Sequence, residues 1–123
     1  MPQPPKRVLC VEDNEDICFL LTTILGRAGY TVSAAADPDV ALELAGLEHF
    51  DLFILDTVLK NRSGLDLCRA LKAAHPDTPV VFYSAAAFDF DREAALRAGA
   101  SAYVTKPGTQ ELLETVRRTL SVR

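Results

Sequence analysis

A chain of 123 residues has the length of one ordinary domain, and 49% hydrophobic with 24% charged residues is globular usage, which excludes a disordered, collagenous or disulfide-scaffold chain. Thirteen Lys and Arg against seventeen Asp and Glu leave a net charge of -4, so a general electrostatic hold on nucleic acid or anionic lipid is excluded as well. The polar, Pro-rich start from Met1 to Arg7 lacks the apolar stretch of a signal peptide, and no later stretch approaches the ~18 apolar residues of a membrane span, which predicts a soluble, cytoplasmic chain.

The first strand is predicted at Val8 to Val11, followed by the acidic pair Glu12-Asp13. A helix follows whose apolar stripe is Ile17, Leu20, Leu21, Ile24, Leu25 and Ala28; Glu15 and Asp16 suit its positive end, and Gly29 suits its left-handed stop. The second strand is Thr31 to Ala35, and Asp37-Pro38 reads as an N-cap with proline at the first helical position. Leu52 to Leu55 form the third strand, ending in Asp56, and Ser63 is a candidate cap for a helix carrying Leu67, Ala70, Leu71 and Ala74 as far as His75-Pro76. The fourth strand, Val80 to Tyr83, ends in Ser84; Phe88 and Phe90 then open the fourth helix, where they are expected to pack, or to anchor a partner if exposed. Gly99 closes that helix, Ala102 to Thr105 form the fifth strand before Lys106-Pro107, and Thr109 is a candidate cap for a last helix with Leu112, Leu113, Val116 and Leu120 on one face.

Strands that read as nearly unbroken apolar runs are covered on both faces, and crossover helices make them parallel. The expected architecture is therefore a doubly wound (βα)5 α/β sandwich around a five-stranded parallel sheet, one domain over residues 1–123 with its core at about 6–120. Cys10, Cys18 and Cys68 form no CxxC pair and no metal-ligand spacing and read as reduced apolar fillers. His49 and His75 read as surface or loop histidines, and Arg117-Arg118 with Arg123 as a solvated helix face.

In an open parallel sheet, ligands bind beyond the carboxyl ends of the strands. Those ends carry Glu12, Asp13, Asp56, Ser84 and Lys106. Each residue alone could be a cap, a turn or a solvated charge; their common rim joins them. Three neighbouring carboxylates repel unless a cation neutralises them, and a hard divalent ion such as Mg2+ takes oxygen ligands of this kind together with phosphate oxygens. Lys106 then suits an incoming phosphoryl oxygen, Ser84 a hydrogen bond to another, and Asp56 the role of nucleophile.

Glu12-Asp13 after Val8-Leu-Cys-Val11, Asp56 with Gly64 eight residues on, Ser84 after Val80-Val-Phe-Tyr83, and Tyr103-Val-Thr-Lys106-Pro107 together resemble the receiver domain of bacterial two-component response regulators, the CheY-like family. The resemblance runs from about Lys6 to Leu120. It implies the flavodoxin-like strand order 2-1-3-4-5 and a phosphoacceptor, Asp56, charged from a phosphohistidine on a histidine kinase or histidine phosphotransfer protein. Asp13, Asp56 and the backbone carbonyl of Val58 are implied as magnesium ligands, with Glu12 acting through water. Lys106, Ser84 and the Ala85 N–H would hold phosphoryl oxygens, and Tyr103 matches the aromatic position that turns inward as the Ser84 hydroxyl moves. The responding face would be the fourth helix, fifth strand and fifth helix, roughly Phe88 to Leu120, controlling a downstream protein or fused output domain, a phosphorylation-dependent homodimer being one form of that response.

Two features depart from the family pattern. Leu59-Lys60 replaces a frequent Met-Pro, which should leave Thr57 to Ser63 less restrained. Val58 and Ala86 stand where relatives often carry polar side chains that orient a hydrolytic water, which predicts slow loss of the phosphoryl group. The alternative is a phosphorylation-independent, receiver-like adaptor, against which the intact set of acids, serine and lysine argues. A phosphatase of the haloacid-dehalogenase type wants a second acid two residues after its nucleophile, where this chain has Val58, so no turnover of an external substrate is expected. A flavin phosphate would be repelled by the acidic Glu12 to Asp16 loop, and no GxGxxG or Walker loop is present.

Overall fold

A computed structural model describes residues 3–121; the N-terminal Met1-Pro2 and the Arg123 part of the basic cluster lie outside the described residues. The sheet strands are β1 (Arg7–Val11), β2 (Thr31–Ala35), β3 (Leu52–Leu55), β4 (Val80–Ser84) and β5 (Ala102–Thr105). The helices are α1 (Glu15–Arg27), α2 (Pro38–Leu47), α3 (Gly64–Ala74), α4 (Asp89–Arg97) and α5 (Thr109–Ser121). All neighbouring strands in this sheet are parallel, in the expected order β2-β1-β3-β4-β5. No helix among the described residues is long and apolar enough to cross a membrane.

Period-two alternation divides the strand residues between two cores. Leu9, Val11, Phe53, Leu55, Phe82 and Tyr103 face one side with Leu67 and Leu71 of α3 and Ala95 of α4. Val8, Cys10, Ile54, Val81 and Val104 face the other with Leu21 and Leu25 of α1 and Leu112, Val116 and Leu120 of α5. β3 and β4 are buried throughout, and each Leu or Val taken fully out of water there contributes roughly 1.5–3 kcal/mol. That burial fixes the central strands, and with them the positions of the residues at their ends.

The caps follow the expected chemistry with one shift. Asp37 accepts the Val40 N–H and Ser63 the Asp66 N–H, each closing the first turn of its helix. Asn14, between the acids, caps α1 by accepting the Ile17 N–H at 3.0 Å. Thr109 is not a cap but the first residue of α5, whose first turn closes on the Gly108 carbonyl. Gly29 and Gly99 follow α1 and α4 with φ of 101° and 108°, the left-handed stops expected there.

Two further expectations change. The stretch from Thr57 to Ser63 closes into a two-residue antiparallel hairpin, Val58–Leu59 with Arg62–Ser63, so backbone pairing supplies restraint that proline would otherwise give. Lys60 and Asn61 turn it with φ of 50° and 65°, the positive pair such a tight turn demands. Phe88 and Phe90 do not enter the core: they are 69% and 65% exposed and stack on each other at 5.4 Å. Only Ala95 of α4 is buried, because the first turn of that helix stands clear of the sheet.

Cys10 and Cys68 are buried free thiols, while Cys18 is half-buried beside the acidic rim. Burial pushes the Cys68 thiol up to about 11, which keeps it protonated and apolar in behaviour. His75 ends α3 with its ring against Phe53, and His49 pairs with Asp51 at the surface.

Candidate functional site

Parallel strands end together, so the residues following them share one edge. β1 leads into Glu12 and Asp13, β3 into Asp56, β4 ends in Ser84, and β5 leads into Lys106, which precedes Pro107 across a cis peptide bond. Backbone hydrogen bonds fix these exits: the Glu12 N–H donates to the Ala35 carbonyl at 3.0 Å and the Lys106 N–H to the Ser84 carbonyl at 2.9 Å.

Lys106 organises the rim. Its ammonium donates to Asp56 Oδ2 at 2.6 Å and to Glu12 Oε1 at 2.8 Å, and its side chain is only 13% exposed. Burial alone disfavours the ammonium, but hydrogen bonds to Asp56 and Glu12 outweigh it and hold the Lys106 pKa above its usual value. Glu12 shows the opposite balance. Burial pushes its carboxyl above the usual range, and the bonds from Lys106 and the Asn14 N–H only partly offset that.

Asp56 Oδ1 accepts the Thr57 N–H at 2.7 Å, so with Lys106 on Oδ2 the carboxylate is oriented at both oxygens while keeping lone pairs for a further partner. Gly64 explains its own place eight residues on: a Cβ there would lie 1.8 Å from the Asp56 carbonyl oxygen. Asp13 is separate from the lysine bridge, its Oδ2 accepting the Lys60 N–H of the hairpin at 3.0 Å. The three acids therefore share the rim in divided form. Among the described residues no three carboxylate, thiol or imidazole side chains gather tightly enough to hold a metal by themselves. A set that includes a backbone carbonyl needs only two such side chains. Three carboxylates to one ammonium also leave a local excess of two negative charges on oxygen donors, which fits a hard divalent cation such as magnesium. Beside these acids a groove of about 500 Å3 opens along α1, lined by Glu12, Asp13, Cys18, Phe19 and Lys60 among others.

A second cluster adjoins the first. Ser84, 1% exposed, pairs its hydroxyl with that of Thr57 at 2.7 Å and accepts the Ala86 N–H at 3.2 Å. Tyr103 is turned inward, 8% exposed, stacked on Phe82 at 6.0 Å and donating its hydroxyl to the Ala86 carbonyl at 2.6 Å. Ala86 thus links Ser84 to Tyr103 through its two backbone groups. Arg92 of α4 donates to the Tyr103 carbonyl at 3.3 Å and to Thr105 Oγ1 at 2.9 Å, with its guanidinium 5.4 Å from the Tyr103 ring centroid. Ala85 lies exposed beside Ser84, and Val58 is 61% exposed on the hairpin.

Sequence reasoning missed four of these contributors: Asn14, Thr57, the Lys60 N–H and Arg92. Asn14 carried a usable signal, since an amide just before an acidic first turn is a cap pattern. The others act through partners distant in sequence.

A family model of the response regulator receiver domain matches residues 8–117. The transcriptional regulatory protein DltR of Streptococcus agalactiae is 39% identical over 114 residues, which cover 90% of this chain and 50% of that protein. The chain spans about half the length of the curated relatives it matches. Among solved structures, the BeF3-activated N-terminal receiver domain of Klebsiella pneumoniae RstA superposes with a TM-score of 0.87 at 29% identity, covering 94% of this chain and 98% of that one. A response regulator of Burkholderia pseudomallei with a phosphorylated aspartic acid and a calcium ion superposes with a TM-score of 0.84 at 34% identity, covering 94% of this chain and 66% of that one.

Proposed function

The chain belongs to the response regulator receiver domain family, and on that premise we propose that Asp56 is a phosphoacceptor, charged from a phosphohistidine on a histidine kinase or histidine phosphotransfer protein. The observation that carries this reading is the Asp56–Lys106–Glu12 bridge: a carboxylate at the end of the central strand, oriented at both oxygens, beside a buried ammonium. In the transfer, an Asp56 carboxylate oxygen forms a bond to phosphorus as the phosphorus–nitrogen bond to the donor imidazole breaks, the electron pair leaving with that nitrogen.

Lys106 is already within reach of Asp56 and provides a fixed positive charge for the oxygens of the arriving group. Ser84 offers the one hydroxyl at the end of β4, and the Ala85 N–H follows it. Asp13, Asp56 and the Val58 carbonyl are the groups that would hold magnesium, with Glu12 acting through water; the ion would supply neutralisation of the charge that gathers on the acyl phosphate. No external substrate is turned over in this reading. Val58 and Ala86 bring no polar side chain to orient water, so the acyl phosphate is slow to hydrolyse.

The response passes to the face formed by α4, β5 and α5. Support for this comes from the weak anchoring of α4, with Phe88, Phe90 and Leu96 exposed, and from Arg92 tying that helix to Tyr103 and Thr105. The receiver of the response is a fused output domain, a partner protein or a second copy of the chain.

Treatment with acetyl phosphate and magnesium tests the reading. Intact mass should rise by one phosphoryl group in the wild-type protein and not in Asp56→Asn. An unchanged wild-type mass, or the same gain in the variant, overturns it.

A further inference from the structure

Ser84 is asked to donate its single hydroxyl proton to a phosphoryl oxygen, yet in this structure the hydroxyl already has partners. It accepts the Ala86 N–H at 3.2 Å and stands 2.7 Å from Thr57 Oγ1, an oxygen–oxygen distance short enough for a good hydrogen bond. Ser84 is 1% exposed, so water is a poor substitute partner. Thr57 is placed firmly: its N–H donates to Asp56 Oδ1 at 2.7 Å and its carbonyl accepts the Gly64 N–H at 2.8 Å. The threonine hydroxyl is thus attached to the residue next to Asp56 and held where it meets the side chain at the end of β4.

We propose that Thr57 is a positioning residue that retains the Ser84 hydroxyl in the resting arrangement and sets how strongly a phosphoryl group must compete for it. This deepens the phosphoacceptor reading and rests on it. Two arrangements are at stake. In the resting one the Ser84 hydroxyl is paired with Thr57 Oγ1, and the Ala86 N–H fills a Ser84 lone pair. In the other Ser84 turns its proton to the Asp56-bound group, and the Thr57 bond is broken. A ligand shifts such an equilibrium only by its differential interaction with the two states, so the Thr57 bond subtracts from whatever the phosphoryl group gains. Because Ala86 also accepts from the Tyr103 hydroxyl at 2.6 Å, release of Ser84 is felt on the far side of the same residue.

The experiment is beryllofluoride binding with magnesium, read as an apparent affinity, in wild type, Thr57→Val, Thr57→Ser and Ser84→Ala, and in the double variant Thr57→Val/Ser84→Ala. Valine keeps the shape and branching of threonine and removes the hydroxyl. A net hydrogen bond of ordinary strength corresponds to roughly fivefold, so Thr57→Val should bind about fivefold more tightly. Thr57→Ser should restore the wild-type value, which a merely structural role would not predict. In the Ser84→Ala background the Thr57→Val gain should vanish, since the partner is gone. Equal or weaker binding by Thr57→Val, or a gain that survives in Ser84→Ala, overturns the proposal. Should valine prevent folding, as judged by circular dichroism, Thr57→Ala takes its place with the same expectations. Failure of wild type itself to bind beryllofluoride would instead sink the underlying phosphoacceptor reading.

Discussion

The two ends of the parallel sheet treat a carboxylate in opposite ways. At the end where the strands begin, Asp51 accepts the Arg7 N–H at 2.8 Å on one oxygen and meets His49 Nε2 at 3.1 Å on the other, while the Arg7 guanidinium pairs with Glu48. Burial acts to raise the Asp51 pKa, but the Arg7 and His49 hydrogen bonds outweigh it and hold the carboxyl below its usual range. At the end where the strands finish, burial wins: the Glu12 carboxyl is pushed up even though Lys106 and the Asn14 N–H both donate to it. At one end both oxygens of the buried carboxylate are partnered and its charge is favoured, and the other has more negative charge than its own lysine can balance. That difference separates a structural closure from an edge whose surplus negative charge fits the cation proposed to bind there.

The rim is also the less forgiving end sterically, which gives the largest expected effect. Gly64→Ala puts a Cβ against the Asp56 carbonyl oxygen, where backbone and not a flexible side chain must yield. A loss of about 3 kcal/mol in urea unfolding is expected, at the top of the usual range for overpacking, together with loss of phosphoryl uptake because Asp56 is moved. A loss below about 0.5 kcal/mol would show that the loop carrying Asp56 is far more compliant than this packing implies.

Asp51→Asn tests the closed end. Loss of the charge on a well-bonded acceptor should cost about 1 kcal/mol at pH 7. A carboxyl with a depressed pKa in the fold stabilises above its unfolded value, here 3.8, and the stabilisation is lost as pH falls through the folded value. The gap between wild type and variant should therefore hold down to about pH 4 and close below it, as measured by unfolding at a series of pH values. A gap that widens on acidification would mean that Asp51 does not stabilise through its charge.

How much of this was legible in the sequence depends on how far each residue's cause lies from it. β3 is four apolar residues buried on both faces, and Asp56 is the acid immediately after it, so strand, edge and candidate nucleophile could be read together. Asp37-Pro38 and Ser63 carry their cap chemistry in their own identities. The hairpin after Val58 was not legible, because Leu59-Lys60 suggests a loosened loop and a left-handed lysine announces nothing. Thr57 and Ser84 are 27 residues apart, and Asp13 and Lys60 are 47 apart; only the folded sheet brings them together. Phe88 and Phe90 misled for a related reason. Aromatic residues at a helix start suggest core, and whether that start reaches the sheet is decided by the loop leading out of β4.

The smallest expected effect is the one that bears most directly on the contrast between the two ends. Glu12→Gln removes the charge and keeps one acceptor oxygen, enough for Lys106 on Oε1 while the Asn14 N–H loses its partner on Oε2. Because the Glu12 pKa is raised in the fold, the folded protein holds that proton more tightly than the unfolded chain, and the ionised form costs stability above the usual value of 4.5. At pH 7 without magnesium, the variant should therefore be more stable than wild type by at most about 0.5 kcal/mol, the lost attraction to Lys106 and the lost Asn14 hydrogen bond offsetting most of the gain. The sign is opposite to that at Asp51 for the same chemical change. Beryllofluoride binding with magnesium should weaken in the same variant, since the surplus negative charge that favours the cation is reduced. A destabilisation as large as that of Asp51→Asn would show that Glu12 is a structural partner of Lys106, as Asp51 is of the Arg7 N–H at the opposite end.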